Sequence, residues 1–324
     1  MYAVTRPIDA GSLCTIPAVK KFALREDLPM KPAPFEYLSP TTLLQVLESK
    51  AEHGDEAKPL AGGQSLIPAM NFRVSQPAVL IDLNKIEELR YIRSQDGELR
   101  IGAMTIQADV ASSPLVAELQ PLISETMPNI AHPQIRNRGT FGGSLAHADP
   151  ASELPVVATA LNARFKAQST RGERWIDAEE FFITMFTTAL EPDEVLTEIA
   201  FPAFSKNMGW SFLEVTRRAG DYAMAGVAAL VSLDAESICR EARLVYLNVG
   251  DKAMDARQAA AVLTGEKITP QQIEAAAQIA AEQEIDPFGS VHATPEYQRH
   301  LAKVLTRRAL QTALSRAQSQ LTGS

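Results

Sequence analysis

Two glycine pairs about eighty residues apart constrain this chain more than any other feature of its sequence. The first lies within residues 60–66, Leu-Ala-Gly-Gly-Gln-Ser-Leu, and the second within residues 139–145, Gly-Thr-Phe-Gly-Gly-Ser-Leu. Backbone N–H groups of such loops can approach a phosphate closely because no side chain fills the space. Either pair alone is more typical of an ordinary turn. Two loops of matching chemistry could hold a diphosphate from two sides, which indicates a nucleotide cofactor.

Two common nucleotide-binding signatures are missing from the chain. Neither G-x-G-x-x-G after a strand nor G-x-x-x-x-G-K-[ST] occurs, which disfavours a Rossmann dinucleotide site and a P-loop NTPase. The glycine loops contain no lysine or arginine, so a phosphate would be held there by neutral N–H and hydroxyl donors. Such donors favour a permanently bound diphosphate over a triphosphate that awaits magnesium-assisted cleavage.

Length and charge narrow the class of protein. At 324 residues, with 46% apolar and 22% charged residues, the chain is expected to form two or three subdomains. Its formal net charge of −8 argues against nucleic acid as a main partner. The densest basic cluster, residues 136–138, is too short to serve as a nucleic-acid footprint.

The small number of cysteines limits the metal sites that the chain could form and indicates its cellular compartment. Only two cysteines occur, Cys14 and Cys239. An iron–sulfur cluster normally needs four thiolates and a tetrahedral zinc site three or four nitrogen or sulfur ligands, so we expect neither on this chain. A disulfide framework is equally unexpected, which favours a reducing cytoplasm. No apolar run is long enough for a signal peptide or a membrane span, so we expect neither.

Hydrophobic periodicity and capping residues predict an α+β architecture with a helical C-terminal end. We expect helix starts at Ser39-Pro40 and at Asp149-Pro150, each an N-cap residue followed by proline. A further helix is expected across residues 116–127. Strands are predicted at residues 78–83, 99–103, 164–167, 195–201, 210–216 and 244–249, and two more helices from residues 269 and 294.

The glycine loops and several motifs in fixed order resemble the FAD-binding medium (flavoprotein) subunits of the molybdenum hydroxylases, the carbon monoxide dehydrogenase and xanthine dehydrogenase family. More specifically, the chain is similar to the separate medium subunit of bacterial carbon monoxide dehydrogenase-type enzymes. The motifs that carry the resemblance lie at residues 61–68, 101–105, 133–155 and 217–223. The likeness extends from about residue 34 to the C-terminal helices.

The resemblance implies a fold and a domain organisation. The fold is a vanillyl-alcohol-oxidase-type FAD-binding domain of two α+β subdomains, followed by a C-terminal α+β domain with an antiparallel sheet and helices. The implied boundaries are 34–206 for the FAD-binding domain, with subdomains at about 34–84 and 85–206, and 207–324 for the C-terminal domain. Residues 1–33 would form an N-terminal extension, for which the family offers no ready role.

The resemblance also implies which residues hold the cofactor. The FAD diphosphate would lie between the two glycine loops, with an acidic residue after the second loop reaching the cofactor. Leu196 would pack near the flavin ring and Tyr222 against the isoalloxazine, while Thr105 and Ile130 match positions near the flavin or the adenosine. The candidate cofactor-binding residues are Ala61, Gly62, Gly63, Gln64, Ser65, Leu66, Thr105, Ile130, Thr140, Phe141, Gly142, Gly143, Ser144, Asp149, Glu153, Leu196 and Tyr222.

Ordinary structural roles remain open for several of these residues. Asp149 and Glu153 could simply complement the positive end of a helix. Tyr222, judged alone, is typical of a core tyrosine. His147 could suggest covalent flavin attachment, but the motif accounts for its neighbourhood without such a bond, and isolated histidines in loops are usually structural or solvated.

The function that the resemblance implies is electron transfer. FAD on this chain would receive electrons from 2Fe-2S clusters of a small iron–sulfur subunit and pass them to an external acceptor. Substrate would be hydroxylated at the molybdopterin centre of a large subunit, in a dimer of heterotrimers. We expect a cytoplasmic complex, with peripheral attachment at the inner membrane as an option. No catalytic side chain and no metal ligand is expected here.

Two other functions stay open at this point. One is a self-sufficient FAD-dependent oxidoreductase on the same fold, and the other is an assembly subunit without a cofactor. The xanthine dehydrogenase branch has a lysine where this chain has Leu213, which weakens transfer of the NAD-reducing arrangement of that branch. Carbon monoxide, aldehydes, ketones and N-heterocycles such as nicotine or purines all remain possible substrates. Quinone, NAD and a carrier protein remain possible acceptors.

Overall fold

A computed structural model of the protein describes residues 31–322. Most of the expected N-terminal extension, with Cys14, lies outside the described residues. The chain first forms a small three-stranded parallel sheet in the order β1-β3-β2. Its elements are β1 (Glu36–Leu38), α1 (Leu43–His53), β2 (Ala57–Leu60), α2 (Leu66–Asn71) and β3 (Val79–Asp82). Because parallel strands end at the same edge, the loop after β2 and the loop after β3 lie side by side.

A second α+β unit follows, built on a five-stranded antiparallel sheet in the order β4-β5-β10-β6-β7. The last strand, β10, enters the middle of this sheet, and all seven of its residues are buried. The elements are β4 (Ile92–Gln95), β5 (Glu98–Gly102), α3 (Gln107–Ser112), α4 (Pro114–Leu119), α5 (Pro121–Thr126), α6 (Pro133–Arg136), α7 (Phe141–His147), α8 (Glu153–Ala160), β6 (Arg164–Ser169), β7 (Gly172–Asp177), α9 (Ala178–Phe181), the hairpin strands β8 (Phe182–Thr184) and β9 (Thr187–Thr188), and β10 (Val195–Phe201).

The C-terminal unit is a four-stranded antiparallel sheet in the order β11-β12-β13-β14, covered by three helices. One face of the sheet packs against these helices, and the opposite face packs against the second unit. The elements are β11 (Met208–Val215), β12 (Ala225–Leu233), β13 (Cys239–Leu247), β14 (Met254–Asp255), α10 (Arg257–Ala261), α11 (Pro270–Ile279) and α12 (Pro295–Thr322). The sheet is thus a layer between the helices and the second α+β unit.

The Glu125 carboxylate links the C-terminal sheet to the second unit. Glu125 of α5 accepts hydrogen bonds from the Phe212 backbone N–H at 2.9 Å and from the Trp210 indole N–H at 3.1 Å. It also pairs with Arg316 of α12 at 2.5 Å. Hydrogen bonds to a charged acceptor are stronger than neutral ones. Glu125 therefore fixes β11 and α12 relative to α5.

The predicted α+β class is confirmed, with the antiparallel sheets and the C-terminal helices. Two predicted helix starts are wrong. Helix α1 begins at Leu43 after the N-cap residue Thr42, whose hydroxyl accepts the Gln45 N–H, and not at Ser39-Pro40.

Asp149-Pro150 forms a turn rather than a helix start, because the Asp149 carboxylate accepts the Ala151 N–H and α8 begins only after Ser152. The predicted helix over residues 116–127 is two helices, since Pro121 starts a new one. The domain boundaries stay predictions. In residues 31–322, no helix is both long and apolar enough to span a bilayer.

Candidate functional site

The two glycine loops, which come from different α+β units, touch each other. A Cβ placed on Gly62 would overlap the carbonyl oxygen of Arg138 and lie 2.7 Å from the Gly139 Cα. A Cβ placed on Gly143 would lie 3.1 Å from the Ala61 Cβ. Side chains rarely tolerate such distances, so the contact requires glycine at both loops. The two loops are thus in direct contact despite their separation in the sequence, and we call the site that has these loops as its two walls the glycine cleft.

The first loop offers free backbone donors. Among the described residues, the N–H groups of residues 62–65 make no hydrogen bond. Gly63 has a φ of +72°, a left-handed conformation that suits glycine, and the Gln64 side chain folds back to donate to the Gly62 carbonyl at 3.0 Å. The Asn84 amide, from the neighbouring loop after β3, donates to the Ala61 carbonyl at 3.0 Å. The loop is therefore fixed while its N–H groups stay available to an anion.

The second loop differs, although we expected N–H donors from both. The Phe141 N–H donates to the Thr105 carbonyl at 2.8 Å, and the Gly142 N–H donates to the Ala103 carbonyl at 2.9 Å. The Gly143 N–H donates to the Thr140 hydroxyl at 3.1 Å, as expected of an N-cap residue. These bonds hold α7 against the end of β5. The second loop thus contributes a close backbone surface, hydroxyl groups and the Thr140 N–H, and the other free N–H donors come from the first loop.

Several of the candidate residues are buried. Thr105, Ile130, Phe141 and Leu196 are each at most 6% exposed. The Thr105 hydroxyl donates to the Tyr91 carbonyl at 2.9 Å, so it is already satisfied within the fold. The contact of these side chains with a cofactor stays a prediction.

The acidic candidates lie at the junction between α7 and α8. The Ser144 and Ser152 hydroxyl oxygens are 3.1 Å apart across this turn. Glu153, the first residue of α8, is 7% exposed, and burial raises its pKa to about 7. Tyr222 is 68% exposed, and its phenol lies close to Asp149: partial desolvation and this carboxylate raise the pKa of Tyr222. The structure therefore brings Asp149, Glu153 and Tyr222 together.

Two amide side chains that the sequence did not indicate hold this group in place. The Asn248 backbone N–H donates to the Pro150 carbonyl at 2.8 Å, and its side chain donates to the Ala223 carbonyl at 2.5 Å. The Gln298 amide, 1% exposed, donates to the carbonyls of Met224 at 2.9 Å and Asn248 at 2.7 Å. The segment after α7 and the loop that carries Tyr222 are thereby linked. No local sequence motif predicts that an isolated amide will bond to residues so far away in the sequence.

His147 and His132 have packing roles in the structure. The His147 ring lies 5.0 Å from the Phe186 ring, and burial lowers the pKa of His147. His132 packs directly on Gly220, which has a φ of +87° and no room for a side chain. Within residues 31–322, no group of three or more His, Cys, Asp or Glu residues could hold a metal ion. Cys239 is a buried free thiol.

Replacing Glu153 by glutamine is expected to stabilise the FAD-free chain at pH 8 by about 3 kcal/mol. Burial raises the pKa of Glu153 from 4.5 to about 7, so the stability that its protonated form contributes is full below about pH 4.5 and lost as the pH rises through about 7. Glutamine has no such loss. Urea unfolding of both proteins at pH 4.5 and pH 8 measures the difference. Equal differences at both pH values would contradict the prediction, and Glu118→Gln, an exposed change in α4, serves as the control.

The arrangement fits a cofactor with an anionic middle and an uncharged aromatic end. The free N–H groups at residues 62–65 suit a diphosphate. The acidic group of Asp149 and Glu153 would repel a diphosphate, so this group suits another part of the cofactor. The exposed ring of Tyr222 suits a flat ring system. FAD has both parts, and the two glycine loops could not approach each other this closely if Gly62 carried a Cβ.

Comparison with known proteins agrees with this interpretation. Residues 33–204 match the family described as the FAD binding domain in molybdopterin dehydrogenase. Residues 210–313 match the family described as the CO dehydrogenase flavoprotein C-terminal domain. The 6-hydroxypseudooxynicotine dehydrogenase complex subunit alpha of Paenarthrobacter nicotinovorans is 42% identical over 89% of this chain and 97% of its own length. The carbon monoxide dehydrogenase medium chain of Hydrogenophaga pseudoflava is 37% identical over 89% of this chain and 99% of its own.

Solved structures show the same likeness. Carbon monoxide dehydrogenase from Hydrogenophaga pseudoflava aligns with a TM-score of 0.85 at 38% identity, over 88% of this chain and 99% of the other. Quinoline 2-oxidoreductase from Pseudomonas putida 86 aligns with a TM-score of 0.83 at 34% identity, over 90% and 99%. The protein is thus an oxidoreductase subunit with FAD as its cofactor. It belongs to the family of FAD-binding medium subunits of the molybdenum hydroxylases, together with the carbon monoxide dehydrogenase medium chains.

Proposed function

We propose that this chain relays electrons through FAD from iron–sulfur clusters of a partner subunit to an external acceptor. The observation that supports the proposal is the contact of two glycine loops from separate α+β units in a chain of this family. FAD supplies the redox chemistry when bound, and the protein binds and orients it. Residues 62–65 bind the diphosphate, and Thr140 and Ser144 line the opposite wall. Glu153, Leu196 and Tyr222 orient the flavin end.

The partners follow from the same proposal. A small subunit carries 2Fe-2S clusters and a large subunit carries molybdopterin, in a cytoplasmic dimer of heterotrimers. Relatives of this chain are named for different compounds, among them carbon monoxide, caffeine and nicotine. Similar medium subunits therefore occur in enzymes named for very different compounds. This supports substrate chemistry that takes place on another chain. We therefore assign no substrate to this chain.

Co-purification tests the proposal directly. The full chain, tagged at its C-terminus and expressed with the chains encoded beside it, is expected to purify with two companions, with molybdenum and iron in the companions and FAD on this chain. Dithionite titration of the complex, followed at the flavin and iron–sulfur absorbance bands, should then show electrons equilibrating between the centres. The FAD-loaded chain alone should not oxidise any substrate that the complex oxidises. Full turnover by the lone chain would reject the relay in favour of a self-sufficient oxidoreductase, and a colourless chain that takes up no FAD would reject both.

A further inference from the structure

Phe186 lies at the tip of the β8–β9 hairpin in a backbone conformation that an aromatic residue rarely adopts. Met185 and Phe186 form the turn between the two strands, and Phe186 has a φ of +56°. Glycine or asparagine usually occupies such a turn position, because a Cβ crowds the backbone there. The Phe186 side chain is 58% exposed, so burial within the chain does little to offset this strain. Strained residues of this kind concentrate at functional sites, which makes Phe186 a candidate for a ligand contact.

The hairpin that carries Phe186 is held in place by three hydrogen bonds to other parts of the chain. The Phe186 N–H donates to the Ala148 carbonyl at 2.9 Å, directly after α7. The Thr184 hydroxyl donates to the Asp251 carboxylate at 2.8 Å, and the Lys252 ammonium donates to a β8 carbonyl at 3.1 Å. The exposed aromatic ring therefore projects from a backbone whose position is fixed.

Helix α7 places Phe186 next to the glycine cleft. The Phe186 ring lies 5.0 Å from the ring of His147, the last residue of α7. Gly143 comes four residues earlier, so both positions lie on the same face of the helix, about 6 Å apart along its axis. That face meets the first loop, because a Cβ on Gly143 would lie 3.1 Å from the Ala61 Cβ. Phe186 therefore lies about one helical turn beyond the contact between the two loops.

Tyr222 is held at the same stretch of chain as Phe186. Asn248 donates its backbone N–H to the Pro150 carbonyl at 2.8 Å, and its side-chain amide donates to the carbonyl of the residue after Tyr222 at 2.5 Å. Phe186 is bound to the chain two residues before Pro150. The two exposed aromatic side chains thus both lie beside residues 148–150. Together they offer a large flat ring two aromatic contacts.

We propose that the Phe186 ring packs against the isoalloxazine ring of FAD and orients it together with Tyr222. The inference rests on the assignment of FAD to this site. A ribityl chain separates the isoalloxazine ring from the diphosphate, so the ring must lie beyond the glycine cleft, on the side where Phe186 is. Both aromatic side chains are exposed, which leaves the flavin at the protein surface, as electron exchange with another molecule requires. Contacts between aromatic rings add affinity and restrict the angle between the rings.

Titration of the FAD-stripped full chain with FAD, and separately with ADP, tests the contact. Phe186→Ala is expected to raise the dissociation constant of FAD about tenfold, because the aromatic contact is lost. The dissociation constant of ADP should not change, because ADP has the diphosphate and the adenosine but no flavin ring. Phe186→Tyr keeps a flat ring and should bind FAD within about threefold of the wild type. Phe72→Ala, at a similarly exposed phenylalanine after α2, should bind both ligands as the wild type does.

Phe186→Gly separates the effect on binding from any effect on folding. Glycine adopts a φ of +56° without strain, so this variant should unfold at a higher urea concentration than Phe186→Ala and still bind FAD about tenfold more weakly than the wild type. A variant that is more stable and binds FAD less well does not owe its loss to misfolding.

Wild-type affinity for FAD in both Phe186→Ala and Phe186→Gly would overturn the proposal. An equal loss of FAD and ADP affinity would also overturn it, because Phe186 would then contact the adenosine end. Retained FAD affinity with loss of the companion chains on co-purification would assign the hairpin to a partner and likewise reject the contact. Failure of the wild-type chain to bind FAD at any concentration would instead reject the proposed function.

Discussion

Gly62→Ala is expected to weaken FAD binding at least about a hundredfold while the chain remains folded. The added Cβ would overlap the Arg138 carbonyl oxygen and press on the Gly139 Cα. Both are backbone atoms, so no flexible side chain can move aside and the two loops must separate. Separation moves the free N–H groups of residues 62–65 away from the opposite wall, and a diphosphate can no longer contact both. The ratio of flavin absorbance to protein after purification, followed by FAD titration, measures the loss.

A matched glycine elsewhere controls for the loss of glycine itself. Gly97 lies in the hairpin between β4 and β5, has a φ of +78° and has no atom within 4 Å of its Cβ position. Gly97→Ala should cost about 1 kcal/mol of stability through backbone strain and leave FAD binding unchanged. Gly143→Val tests the other wall, since its Cβ would lie 2.5 Å from the Thr140 hydroxyl. Normal FAD content in both Gly62→Ala and Gly143→Val would contradict the cleft.

The location of the glycine cleft could be predicted because its chemistry is local. A run of residues without Cβ, next to a hydroxyl, restricts what the backbone can approach wherever the loop lies in the fold. Which loop keeps free N–H groups could not be predicted in the same way. The second loop uses its donors on the carbonyls of Ala103 and Thr105, which lie more than thirty residues earlier. A tertiary contact decides that outcome, and no pattern near Gly142 records it.

The wrong helix starts also arise because packing, and not the local sequence pattern alone, decides where an element begins. Ser39 and Asp149 have the right side chains for N-caps and a proline after them. The helices begin three residues later, after Thr42 and Ser152. Propensity marks a short region in which a helix can start, while packing of the first apolar residues selects the position. The turn at Asp149 consequently places Glu153, rather than a solvent-facing residue, at the buried start of α8.

Residues that link the units could not be predicted from local sequence patterns. Gln298 and Asn248 link the Tyr222 loop to the segment before α8, yet each is an isolated amide in its own part of the sequence. Glu214 lies outside the motifs that carry the family resemblance, and its surroundings depend on the strand face that it occupies and on Gly226 opposite. Sequence periodicity gives the alternation of β11. The periodicity does not predict that α8 lies on one side of this strand.

Gly209→Ala is expected to destabilise the chain by about 2–4 kcal/mol, with FAD absent. Gly209 lies in β11 beneath α12, and a Cβ there would overlap the Ala313 carbonyl oxygen and lie 2.6 Å from the Ala317 backbone nitrogen. Both alanines are fully buried, so the helix can reach the sheet this closely only where the strand has no side chain.

The added methyl must therefore push a 28-residue helix off its sheet, which opens gaps along the core that α12 shares with β11 and β12. Urea unfolding followed by circular dichroism measures the loss in the free energy of unfolding. Gly265→Ala, in the same unit with a φ of +93° and open space around its Cβ position, should lose only about 1 kcal/mol from backbone strain. Equal midpoints for the two variants would mean that β11 and α12 can separate freely. The close packing of that helix would then not be what holds β11, with Glu214, in register.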